Sequence, residues 1–186
     1  MRSSVIFALF ASAIASEAQS RLPMPSCPAP FAQLLSDKIF SNFAVHLPAR
    51  TLWPAPADVR IGRAHLYRTV IREAAKRGPD FAGRYTIVRI GCGAATLCVA
   101  IADARTGKVH FPEKLMNATA LLVDTVTDVG TLNYRRDSRL LIVIGSPNED
   151  PQRAGASYYE WRSGKLHLLR FTPAAKLCSL PASTRL

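Results

Sequence analysis

The sequence predicts an α+β domain, built as a mainly antiparallel β-sheet of about six to eight short strands with one long helix packed on it. Three observations carry this expectation. An amphipathic stretch runs from Val59 to Arg77. From Gly83 onward the apolar period changes from helical to strand-like. Turn signals then recur at short spacing, at Ala104-Arg105-Thr106-Gly107, Arg136-Asp137-Ser138 and Ser163-Gly164. The chain has 186 residues, 48% hydrophobic and 20% charged, which is ordinary globular material. It is long enough for one real core and too short for an eight-unit β/α barrel. Its strand-rich part would make about two propeller blades, so a closed propeller is excluded.

Residues 1–20 read as a secretory signal. Arg2 gives a positive start and Val5–Ile14 a short apolar run. Ser16-Glu17-Ala18 offers a cleavage site, and a cut after Ser20 is the alternative. The run is too short to span a bilayer, and no later segment reaches membrane-spanning length. Removing residues 1–18 would take away Arg2 and Glu17 together, leaving the net charge at +11. These features predict a periplasmic or secreted protein.

Residues 21–57 form a Pro-rich N-terminal extension with a short helix expected at 31–43, where Phe31, Leu34, Leu35, Lys38 and Ile39 keep helical spacing. Residues 47–57 read as a loop. The domain proper is expected at 58–172, followed by a C-terminal tail at 173–186. Its helix would run over Val59–Arg77, with Asp58 as cap, an apolar face from Ile61 to Ala75, and Gly78-Pro79 as the stop. Glu73 and Arg77 are spaced for an ion pair. Strands are predicted at Arg84–Ile90, Leu97–Ala102, Lys108–Phe111, Leu121–Thr127, Thr131–Arg135 and Arg139–Gly145. The last is apolar on both faces and therefore central. Ser157–Arg162 and Lys165–Phe171 would close a final hairpin.

In an oxidising compartment the four cysteines read as two disulfides. Cys92–Cys98 would close a local loop, worth about 2 kcal/mol on the chain-entropy model, and Cys27–Cys178 would tie the ends together, worth about 5 kcal/mol. The spacing suits neither a zinc knuckle nor a C-x-x-C redox pair.

The stretch from Phe81-Ala82-Gly83-Arg84-Tyr85 to Ile90-Gly91-Cys92-Gly93 resembles a motif of a family of small secreted proteins of Gram-negative bacteria. Asp103-Ala104-Arg105-Thr106-Gly107-Lys108-Val109, Asp137-Ser138-Arg139-Leu140-Leu141, Asn148-Glu149 and Tyr158-Tyr159-Glu160-Trp161 continue the likeness over about residues 59–171. It implies a secreted single domain and assigns no catalytic residue. The chain departs from the family pattern at Arg84 and Ile90, where an aromatic residue or His is usual.

No motif fixes a reaction. Gly145-Ser146-Pro147-Asn148 lacks the second glycine of a nucleophile elbow, and His46, His65, His110 and His167 have no metal-ligand spacing. Glu149, in the loop after the central strand, is the one candidate acid or base; Asp103 and Asp137 sit at turns, where such side chains bond their own backbone. No cofactor or metal is expected. Charge is the stronger signal. Eight cations, from Arg60 to Arg89, fall close together, and Arg68, Arg72 and Lys76 share one helix face. With Arg84, Glu149 and Tyr158 they are the candidate binding residues. Tyr158 is expected at the surface, Trp161 in the core, and the Gly91–Cys98 loop as a rigid contact.

These features predict a non-enzymatic binding module for an acidic envelope polymer, a lipid headgroup or an acidic protein. The alternatives are an inhibitor or immunity-type protein that blocks a secreted enzyme, and a hydrolase of envelope polymers. An exported protein meets little nucleic acid, which counts against that partner.

Overall fold

A computed structural model describes residues 34–47, 54–121 and 130–179. The expected signal at 1–20, Cys27 and nearly all of Leu121–Thr127 lie outside the described residues. The elements are helices α1 (Asp37–Ser41), α2 (Gly62–Leu66), α3 (Arg68–Lys76) and α4 (Ala174–Ser179). The strands are β1 (Tyr85–Gly93), β2 (Thr96–Asp103), β3 (Val109–His110), β4 (Asn117–Ala120), β5 (Leu132–Tyr134), β6 (Leu140–Pro147), β7 (Gly155–Arg162) and β8 (Lys165–Pro173).

All eight strands form one antiparallel sheet in the order β1-β2-β4-β6-β7-β8. Strand β3 pairs with the far end of β2, and β5 with the near end of β6. Strand β4 is thus the link between two meanders, through three residue pairs on each side. The sheet curls about a central cluster that takes Ile87 from β1, Val99 and Ile101 from β2, Leu141 and Val143 from β6, and Tyr159 and Trp161 from β7. Tyr85 and His110 meet Trp161 edge-on across this interior, at ring centroid distances of 5.3 and 5.4 Å.

The outer faces are covered too. Alternate residues of β1 and β2 (Val88, Ile90, Ala100, Ala102) pack under Ile71 and Ala74 of α3. Leu140, Ile142 and Ile144 of β6 and Tyr158 of β7 pack with Leu34, Phe40 and Leu177. The segment after α1 is held by Val45 N–H donating to the Asp137 carbonyl at 2.8 Å and Ser138 Oγ donating to that of Phe40 at 2.8 Å. Burial on both faces explains why β6 reads as a continuous apolar run.

Several expectations need correction. The long helix is two short ones. Gly62 takes φ +59°, in the left-handed region, and Tyr67 (φ −105°, ψ 22°) breaks the helix again before Arg68. The apolar face therefore divides: Ile71, Ala74 and Ala75 are buried, whereas Ile61 and Leu66 are exposed. Asp58 does not cap a helix; its carboxylate binds the Arg60 guanidinium at 2.9 Å. Glu73 pairs with Lys76 at 2.8 Å rather than with Arg77, which donates to the Glu73 carbonyl. Tyr158 is buried, because α1 and α4 cover the face expected to meet solvent. Strand β3 is only two residues long, and the polar strand β4 was not foreseen. Of the expected tail, the described part is Pro173, which ends β8, and α4, whose Leu177 is fully buried.

The final hairpin forms as expected, with Ser163 and Gly164 both at positive φ, the backbone twist that a two-residue turn needs to match its strands. Cys92 and Cys98 are disulfide-bonded across the β1–β2 hairpin. Gly107 closes the β2–β3 turn at φ +75°, and an added Cβ would lie 2.1 Å from the Pro56 carbonyl oxygen. That close approach seats residues 54–58: Ala55 N–H donates to the Ala104 carbonyl and Asp58 N–H to that of Gly107, both at 2.7 Å. The segment leads straight into α2, so the turn sets where the helical layer begins.

Candidate functional site

Small residues place the helical layer. Ala74 and Ala75 let α3 lie close on β1 and β2, with Ile71 as its one large anchor. Periodicity then forces Arg68, Arg72 and Lys76 onto the outer face, and all three are exposed. Arg68 Nη1 donates to the His65 carbonyl at 3.4 Å, and Lys76 is held by Glu73, whose pKa is lowered by that hydrogen bond. Arg72 has no hydrogen-bond or ion-pair partner among the described residues. With Lys76 it lines a cleft of about 280 Å³, together with Pro54–Ala57 and Ala75.

A larger cleft of about 540 Å³ is lined by Asp58, Ile61, Arg63, Ala64, Lys108 and Phe111. Arg63 stacks over the Phe111 ring, 4.8 Å from its centroid. The bond from the Arg60 side chain holds the Asp58 carboxyl down to about 2, so this carboxylate stays charged and satisfied within the layer. Residues 58–77 thus carry the cations Arg60, Arg63, Arg68, Arg72, Lys76 and Arg77 against two carboxylates, Asp58 and Glu73. Such a surface attracts anions.

The other candidate residues lie elsewhere. Arg84, just before β1, donates to the Tyr85 hydroxyl at 2.9 Å and pairs with the buried Asp103 at 3.3 Å. Asp103 also accepts from Arg105 N–H, so it is a turn anchor. Glu149 is exposed at φ +57° in the turn after β6. Its neighbour Asn148 fastens that turn, accepting from Met116 N–H at 2.8 Å and donating to the Glu113 carbonyl at 3.0 Å. Tyr158 sits under Arg170, whose guanidinium carbon is 4.2 Å from the ring centroid; burial pushes its phenol up and Arg170 pulls it partly back. No hydrogen bond, ion pair or ring contact joins Arg84, Glu149 or Tyr158 to α3 among the described residues.

Among the described residues no group of three or more His, Cys, Asp or Glu side chains could hold a metal ion, and no helix is long and apolar enough to cross a membrane. The sequence reading missed Arg63 and Lys108, which reach a common cleft, and the exposure of Ile61 and Leu66. Gly62, inside the expected helix, was the available signal for both. Compared with known proteins, the chain matches no family model, no curated protein and no solved structure.

Proposed function

We propose that this protein is a non-enzymatic binding module, exported to the periplasm or beyond, that recognises an anionic partner through the outer face of α3. The observation that carries the reading is Arg72: an exposed guanidinium with no acidic partner among the described residues, between Arg68 and Lys76 and beside a cleft with an apolar floor. Excess positive charge of this kind raises the encounter rate with polyanions and is screened by salt. The likeness to small secreted proteins and the N-terminal sequence support export.

The test uses the oxidised protein on a dextran sulfate resin and on immobilised envelope extract, eluted by rising salt. The Arg68→Ala/Arg72→Ala/Lys76→Ala variant is expected to bind roughly a hundredfold more weakly at low salt, at about 1 kcal/mol per cation, with a flatter salt dependence. Unchanged binding at low salt overturns the assignment to α3. Stoichiometric retention of one protein at high salt would favour the inhibitor reading instead.

A further inference from the structure

Two exposed apolar side chains flank α2, immediately before the basic row of α3 in the chain. Ile61 is 82% exposed and Leu66 74% exposed, while the other exposed large apolar side chains of the described residues lie between 37% and 45%. The backbone puts the pair outside. Ile61 is extended (φ −136°, ψ 164°), Gly62 turns left-handed, and the helix stops at Tyr67, so Ala64 and Tyr67 supply the contacts to the sheet. A fold seeking only stability would turn such side chains inward, where each is worth far more than at the surface. Isolated exposed apolar residues are ordinary on protein surfaces. Here two bracket a one-turn helix, and cations stand on either side: Arg60 before it, Arg63 within it, Arg68 and Arg72 after it. Apolar side chains among long cationic ones are the chemistry of a surface that enters the headgroup layer of an anionic bilayer, with guanidinium groups held at the phosphates.

We propose that α2 docks the protein on an anionic phospholipid surface, with Ile61 and Leu66 inserted at the boundary between headgroups and acyl chains and Arg63 and Arg68 bound to lipid phosphates. This rests on the anion-binding reading of the helical layer and names its partner. Charge complementarity selects the occupant: a neutral apolar partner would leave the surrounding guanidinium groups desolvated without counter-charge.

Co-sedimentation with vesicles of phosphatidylglycerol and phosphatidylcholine tests it, with pure phosphatidylcholine vesicles as control and dextran sulfate resin as a lipid-free polyanion comparison. The wild-type protein is expected to partition onto the anionic vesicles only. The Ile61→Ser/Leu66→Ser variant should lose at least tenfold in partitioning and keep its retention on dextran sulfate. In a Leu66→Trp variant, tryptophan emission should shift to the blue on adding anionic vesicles. Binding of the serine variant equal to wild type, or an unmoved emission spectrum, overturns the insertion. Retention on dextran sulfate without vesicle binding overturns the lipid partner and leaves the anion-binding reading standing. Failure on both surfaces removes both.

Discussion

His110 shows how one side chain is set by its surroundings. Its ring lies edge-on to Trp161 and Tyr85, and Gly164 leaves room for it: an added Cβ there would come within 3.1 Å of the imidazole. Burial lowers its pKa, Lys108 and Arg84 lower it further, and Asp103 works in the opposite direction. The unfolded chain therefore takes up the His110 proton at higher pH than the folded protein does. The stabilisation this represents is complete above the ordinary histidine value of about 6.5 and is lost as pH falls through that value toward the lowered one. His110→Gln should remove this part of the pH dependence. Thermal unfolding of wild type and variant between about pH 5 and pH 8 is the check, and parallel curves would rule out the role. Tyr85, Asp103, His110 and Trp161 come from four strands, so their meeting was not legible in the sequence.

Among the elements, hairpins were the most legible and helices the least. Strands β7 and β8 and their Ser163-Gly164 turn could be read because turn chemistry and period-two alternation are local. The helix misreading has a local cause as well: Gly62 and Tyr67 leave helical geometry, and the apolar pattern ran across both breaks. Tyr158 failed for a non-local reason, since its burial depends on α1 and α4 from the two ends of the chain. Polar β4 gave no strand signal because its pairing with β2 and β6 supplies its order. Of the candidate site, the row Arg68, Arg72 and Lys76 was legible from helical spacing alone. The β1–β2 hairpin carries its own test. Eight residue pairs already fix its register, and the disulfide closes a loop with a sequence separation of 6. Cys92→Ser/Cys98→Ser is expected to lower stability by about 2 kcal/mol and leave the fold intact, as read by denaturant unfolding and circular dichroism. Loss of the fold would show that the disulfide holds more than its hairpin.

At the scale of the molecule, charge opposes the fold. A net charge of +11 repels itself, and the described ion pairs (Arg60–Asp58, Lys76–Glu73, Arg84–Asp103, Arg135–Asp37 and Arg139–Glu160) offset it only in part. Raising sodium chloride from about 20 mM to about 200 mM shortens the screening length severalfold and should raise the midpoint of thermal unfolding. A fall would mean that the ion pairs outweigh the repulsion. The narrow join at β4 has a different consequence, one of order in time. The β1–β2–β3 and β6–β7–β8 meanders are each built from neighbours in sequence, and such contacts close quickly because little chain entropy is lost in forming them. Strand β4 is the described strand that pairs with both, so the two meanders are expected to close first and the sheet to become continuous when β4 seats between them over their shared core.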